Sequence, residues 1–368
     1  MHRRPVPRSL ALCLIWVISS MACGGGSAPA TNAGAAPAPA ASAAPFGGGG
    51  KIQINGAGAT FPYPIYSKWF SEYRKLHPDV EINYQSIGSG GGIQQITAQT
   101  VFFGATDGPM TDAQLKTAPG PILHFPTVLG AVVPIYNVEG TAAALKFTGP
   151  LLADIYLGKI KRWNDPEIAK TNPGVNLPAF DITVVHRSEG SGTTFIFVDY
   201  LAKVSPEWKN KVGVMASVNW PVGVGGKGNE GVSGLVKQTP GSIGYVELIY
   251  AKQNNISYGS VQNQAGEFVS ADVNSVTAAA AGASSTLPKD FRVSITNSPG
   301  KGAYPISSFT WILLYEDPQD KRLAAVMVDL MKWALSDGQQ FAPDLGYAPL
   351  PAGVVQQEMD QLARIKLQ

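Results

Sequence analysis

Between Val184 and Leu201 the chain reads VVHRSEGSGTTFIFVDYL. An apolar, strand-like run ends at His186. Arg187, Glu189, a pair of glycines and the hydroxyls of Ser191 and Thr193 follow, and an apolar, aromatic-rich run then resumes at helical spacing. Ser191, Gly192 and Thr193 are thereby expected at the mouth of a helix. The first helical N–H groups have no partner there and the helix dipole adds positive potential, so the turn suits an anion. Arg187 can give two parallel N–H bonds to two oxygens. Glu189 is placed to pair with Arg187 and hold its fork; the plainer alternative is a surface ion pair of little value.

The same arrangement recurs twice. KIQINGAGATF alternates and then breaks into small residues before PYPIYSKWFSEYRKL, where Ile65, Trp69, Phe70 and Tyr73 recur at helical spacing. Thr60 and Phe61 are expected at that helix N-terminus, with Thr60 as its cap. VEINYQSI reads as a strand and GIQQITAQT as a helix, with the glycine-rich turn Gly88 to Gly92 and Ser89 between them. Each turn alone is as readily a structural cap, since Gly, Ser and Thr are common there. Three in one chain favour a site. In an open α/β lobe, strand C-termini and helix N-termini share one edge, where ligands bind. Several hydroxyls and free N–H groups can then converge on one small, multiply charged oxyanion.

A carboxylate completes the set. Asp107 follows an apolar strand in VFFGATDGPM. An ionised carboxylate accepts hydrogen bonds and cannot donate. It repels a fully deprotonated oxyanion such as sulfate and accepts from the P–OH of mono- or dihydrogen phosphate. A site whose acceptor is left unpaired by the wrong ligand can reject it by roughly 10⁴. Asp107 is thus a candidate selectivity element, or simply a turn residue, since Asp before Gly favours turns.

These turns need a large framework. The chain has 368 residues, too many for one ordinary core, so two lobes are expected; 45% hydrophobic residues can fill them and 15% charged residues is too few for a disordered chain. The net charge of +2 includes Arg3, Arg4 and Arg8; without residues 1–22, which hold no acid, it is +2 − 3 = −1. No basic face for nucleic acid is indicated. Residues 1–22 read as a signal peptide: a basic start, then LALCLIWVI, too short to span a bilayer. The run ends in SSMAC, which resembles the lipobox of bacterial lipoproteins and would make Cys23 the lipidated first residue; an ordinary signal peptide with an incidental cysteine is the other reading. Residues 23–50, rich in Gly, Ala and Pro and free of charge, read as a tether of on the order of 30 Å. With Cys13 removed, Cys23 has no disulfide partner. GVGGKG, Gly223 to Gly228, fits a dinucleotide-type glycine pattern without the expected strand or acidic partner, and is read as a structural loop near the cleft. The four histidines show no metal-ligand spacing. Trp163, Trp208 and Trp220 read as packing anchors, His186 as a satisfied structural histidine, and Ser275 to Leu287 as a surface helix.

GAGATFPYPIYSKWF, IGSGGGIQQI, FGATDGPM, IYLGKIKRWND, RSEGSGTTFIF, WPVGVGGKGNEG, GSIGYVE and YPISSFTWILL occur in this order. Together they resemble the phosphate-binding proteins of bacterial high-affinity phosphate ABC transporters (Pst type), over almost all of residues 52–350. The resemblance implies an α/β, two-lobed periplasmic-binding-protein fold of type II, with the ligand in the interlobe cleft. It implies two crossover segments, near Thr127 to Val133 and near Tyr304 to Thr310. Residues 51–127 and 305–368 would form lobe I and residues 128–304 lobe II. Carried over by motif, the phosphate contacts fall on Thr60, Phe61, Ser89, Asp107, Arg187, Ser191, Gly192 and Thr193, with Phe61 acting mainly through its backbone N–H. Glu189, where the family often has Asp, would orient Arg187 from one methylene further away. The implied function is capture of inorganic phosphate and delivery to the permease and ATPase of an importer, by a monomer held at a bacterial membrane, in the periplasm or at the cell surface, only through a lipid on Cys23. No catalysis, metal, cofactor or nucleic-acid partner is expected. The alternative is a surface phosphate sensor or a general oxyanion receptor not coupled to import.

Overall fold

A computed structural model describes residues 50–140, 144–282 and 287–368. The signal segment, Cys23 and the tether up to Gly49 lie outside them, as do residues 283–286 of the alanine-rich stretch.

The first part alternates strand and helix: β1 Ile52–Gly58, α1 Tyr63–Leu76, β2 Val80–Ser86, α2 Ser89–Thr97, β3 Phe103–Thr106, α3 Asp112–Thr117 and the long β4 Ile122–Tyr136. The middle part runs β5 Lys146–Phe147, α4 Gly149–Tyr156, α5 Pro166–Thr171, β6 Thr183–Arg187, α6 Gly192–Val204, α7 Pro206–Lys211, β7 Val224–Gly226, α8 Gly228–Gln238, β8 Ser242–Glu247 and α9 Leu248–Gln253. Short strands β9 Ser257–Tyr258, β10 Ser260–Gln262 and β11 Phe268–Val269 lead to α10 Val273–Ala281. The chain returns through β12 Ser307–Tyr315, α11 Lys321–Leu335 and α12 Ala352–Leu362.

One sheet carries both halves of the protein, in the order β2-β1-β3-β12-β4-β8-β6-β7. β1 is parallel to β2 and β3, and β6 is parallel to β7 and β8. Between these two parallel blocks lies the antiparallel pair β12–β4. β4 pairs with β12 from Ile122 to Ala131 and with β8 from Val132 to Tyr136. This change of partner turns one strand into the connection between two lobes. All fifteen of its residues are buried, although it contains Pro126 and Pro134. Proline cannot donate to the ladder and is tolerated at irregularities; Pro126 sits where the pairing slips, opposite the bulge between Thr310 and Trp311.

Helices pack on the sheet by their apolar stripes. In α1 the stripe is Ile65, Tyr66, Trp69 and Tyr73, all buried. Trp163 and Trp208 are fully buried packing anchors. His186 stacks on Trp220 at 4.8 Å between ring centroids, and its Nδ1 lies 3.0 Å from the Arg187 carbonyl, so it is a satisfied structural histidine. The alanine-rich helix is less superficial than its composition suggests: Ser275, Val276, Ala279 and Ala280 are buried, and Tyr304 N–H, just before β12, donates to the Ser275 carbonyl.

Candidate anion-binding site

The parallel strands of each lobe end at one edge of the sheet, and the turns that leave this edge converge. From the first half come Thr60 after β1, Ser89 at the start of α2 and Asp107 after β3. From the second come Arg187 at the end of β6 and Ser191, Gly192 and Thr193 at the start of α6. Thr60, Phe61, Ser89, Asp107, Arg187, Ser191 and Thr193 are all at most 3% exposed. The halves touch here. Gly90 N–H donates to the Gly190 carbonyl at 2.9 Å, and a Cβ placed on Gly192 would lie 2.5 Å from Ser89 Oγ and 2.6 Å from Asp107 Cβ. Only glycine permits that approach. Gly88 carries a second constraint, because its φ of 91° as the residue preceding α2 is a conformation that favours glycine.

The hydroxyls share one polarity. Ser191 Oγ accepts from Thr194 N–H at 3.1 Å, capping α6. Ser89 Oγ accepts from Asp107 N–H at 3.1 Å. Thr60 Oγ1 accepts from both the backbone N–H and the side-chain amide of Asn229, at 3.2 and 2.7 Å, and Thr193 Oγ1 accepts from the same amide at 3.2 Å. A hydroxyl whose oxygen already accepts an N–H has its own proton left to give. The protons of Thr60, Ser191 and Thr193 are thereby available to an acceptor-rich ligand, and that of Ser89 is shared between such a ligand and the Asp107 carboxylate. The expected capping role of Thr60 does not occur: Pro62 precedes α1 and no side chain caps that helix. The two bonds from Asn229 engage the hydroxyl oxygen instead.

Arg187 supplies the charge. Its Nε donates to Glu189 Oε1 at 2.9 Å, its Nη2 bonds to the same oxygen, and Nη1 is buried without a partner. The carboxylate thus occupies the Nε edge of the guanidinium, so what remains for a ligand is the Nη1 end rather than the whole fork. Gly228 N–H also donates to Glu189 Oε1 at 3.0 Å. The extra methylene of Glu is accommodated in a formed ion pair.

Asp107 is the counterpoint. Its Oδ1 accepts from the Thr310 hydroxyl at 2.8 Å. Burial pushes its carboxyl up to about 7, against the opposing pull of the Thr310 hydroxyl, the Arg187 charge and the Ser89 hydroxyl. In its ionised form this buried acid only accepts, among hydroxyls with protons to give, and so it can discriminate by the proton on the ligand. Phe61 contributes a wall: its carbonyl accepts from the Tyr347 hydroxyl at 2.6 Å, and its ring packs against Gly130 of β4.

The eight expected contact residues and Glu189 are therefore brought to one edge. Asn229 and Thr310 were not anticipated. Asn229 had a signal: GVGGKG is a short strand, β7, followed by a glycine and a helix, so it is a fourth unit of the repeated kind rather than a bare loop. Gly228, with φ 72°, makes that turn. Thr310 lay in a stretch read only as a crossover.

The profile of the PBP superfamily domain matches residues 28–338. The chain is 50% identical over 307 residues to the phosphate-binding protein PstS of Xylella fastidiosa (strain Temecula1), covering 83% of this chain and 84% of that one. It is 50% identical over 304 residues to the PstS of Pasteurella multocida, covering 82% and 88%. The fold is shared with a solved high-affinity periplasmic phosphate-binding protein (PfluDING) bound with phosphate, at a TM-score of 0.66 and 22% identity over 84% of this chain and 93% of that one. On the sequence match and the shared fold, the chain belongs to the PBP superfamily and, within it, to the family of PstS phosphate-binding proteins.

Proposed function

We propose that this protein captures inorganic phosphate at the converging turns and delivers it to the permease of an ABC importer. The observation that carries the reading is the polarity of the site. Thr60, Ser89, Ser191 and Thr193 each accept an N–H, Arg187 Nη1 is buried and unpartnered, and Asp107 is the carboxylate set among them. Such a set matches an anion with several acceptor oxygens and one P–OH. Sulfate offers the oxygens without the proton and leaves Asp107 facing a charge.

In this reading Thr60, Phe61, Ser89, Asp107, Arg187, Ser191, Gly192 and Thr193 contact phosphate and Glu189 orients Arg187. Residues 51–127 and 305–368 form one lobe and 128–304 the other, with β4 and β12 as the connections. Closure of the lobes creates the face that the permease reads. The chain acts as a carrier and performs no reaction. Residues 1–22 are removed, Cys23 is lipidated, and residues 23–50 tether a monomer beside the membrane, in the periplasm or at the cell surface.

Calorimetric titration of the anion-stripped protein with phosphate and then sulfate, at neutral pH, tests the reading. Micromolar or tighter binding of phosphate at one site, with sulfate silent, is expected. Equal binding of both makes the protein a general oxyanion receptor, and silence for both removes the site assignment.

A further inference from the structure

Asn229, the second residue of α8, is completely buried. Every polar atom of it that can bond does so. Its Oδ1 accepts from Glu247 N–H at 3.0 Å, which fixes which way round the amide lies. Its Nδ2 then carries two hydrogens toward two hydroxyls: Thr60 Oγ1 at 2.7 Å and Thr193 Oγ1 at 3.2 Å. Its backbone N–H adds a bond to Thr60 Oγ1 at 3.2 Å.

The consequence for those hydroxyls is chemical. A hydroxyl oxygen has two acceptor positions and one proton. On Thr60 both acceptor positions are filled, so its proton is all it can offer. On Thr193 one is filled from the same amide. A neutral amide achieves this without adding charge near Arg187 and Glu189. A water or a serine in its place could turn round and accept; an amide nitrogen cannot. The two threonines also belong to different halves of the protein, one following β1 and one opening α6. The tie exists only while the halves are together.

We propose that Asn229 is a positioning residue for anion capture, tying Thr60 to Thr193 across the cleft and holding both hydroxyls as donors to the ligand. The inference rests on the reading above that these hydroxyls face phosphate. Asn229 itself touches no ligand in this scheme and acts through the two threonines.

A double-mutant cycle on phosphate affinity, measured by calorimetry with the full chain, tests it. Asn229→Ala should weaken binding by about 10-fold to 100-fold, the worth of two oriented neutral hydrogen bonds. In a Thr60→Val/Thr193→Val background the same substitution should cost no more than about 3-fold, because its route of action is gone. Thermal unfolding of each chain without phosphate is recorded alongside, so that a packing defect appears as lost stability rather than lost affinity. Asn229→Leu, which keeps a similar volume and removes both donors without adding a charge, provides the same comparison should the alanine variant not fold. Wild-type affinity in either variant, or a cost that persists undiminished in the double-valine background, overturns the inference and leaves the phosphate reading standing. A wild-type chain that does not bind phosphate overturns that reading, and this inference with it.

Discussion

Replacing Gly192 with alanine separates closure from folding. Gly192 is the first residue of α6 and its φ is outside the left-handed region, so alanine fits the local backbone. Taken alone, Gly→Ala at a compatible site stabilises by about 0.4–1 kcal/mol, chiefly by restricting the unfolded chain. The added methyl, however, would lie 2.5 Å from Ser89 Oγ and 2.6 Å from both Asp107 Cβ and Asp107 N. Ordinary carbon contacts begin near ~3.5 Å, so the walls must part by roughly 1 Å. Two of the three atoms met are backbone or Cβ atoms, which cannot swing aside. Overpacking of this kind costs about 1–3 kcal/mol, or roughly 5-fold to 150-fold in affinity. The clash arises only when the halves touch. Phosphate affinity is therefore expected to fall by about that factor, while the thermal midpoint without phosphate holds or rises. Calorimetric titration and a thermal scan of the phosphate-free protein measure the two. Affinity within 2-fold of the wild type would refute the argument that Gly192 is set by cross-cleft contact; a large drop in the phosphate-free midpoint would show a role within its own lobe instead.

Arg187→Lys keeps the charge but has no fork with which to hold Glu189 and present a second nitrogen. A loss of about 2–4 kcal/mol in phosphate binding is expected, and a titration showing less than a 5-fold change would put the guanidinium outside the site. Asp107→Asn gives the site a donor where it had an acceptor, so sulfate should begin to bind; persistent exclusion of sulfate would mean that another acceptor reads the proton. The same variant reports on pH. Burial raises the Asp107 carboxyl to about 7 in the folded protein, against about 3.9 in an unfolded chain. The folded state holds the extra proton between those values, so this group's contribution to stability falls as pH rises from about 4 through about 7. Urea unfolding of phosphate-free protein across that window should fall less with pH in Asp107→Asn than in the wild type, and parallel curves would contradict the burial argument.

The local parts of the site were legible because short-range chemistry writes them. A strand, a glycine turn and a hydroxyl at the mouth of a helix occupy a dozen contiguous residues, and so Thr60, Ser89 and the Arg187–Thr193 stretch could be read directly. The Glu189 pairing was legible for the same reason, since the carboxylate stands two residues from the guanidinium. The role proposed for Asp107 rests on the chemistry of carboxylates and phosphate. The eight motifs in fixed order then implied the two-lobed fold, which matches the topology of the sheet.

What the sequence left undecided was set by partners remote along the chain. Thr310 meets Asp107 from 203 residues away, and Asn229 meets Thr60 from 169. Neither distance leaves a trace in local periodicity. A capping hydroxyl and one held by a distant amide look alike in sequence, which is why Thr60 reads as a cap although Asn229 engages it. The Arg187–Glu189 pair is local, but which edge of the guanidinium the carboxylate takes, and so that Nη1 is the end left without a partner, is set by the fold. The repeated turns made an anion site expected; the meeting of β4 with β12 and then with β8 brings those turns from two lobes within bonding distance. Backbone propensity and capping act over a few residues. The choice among possible hydrogen-bond partners belongs to whatever the folded sheet places nearest, and only the tertiary structure decides that.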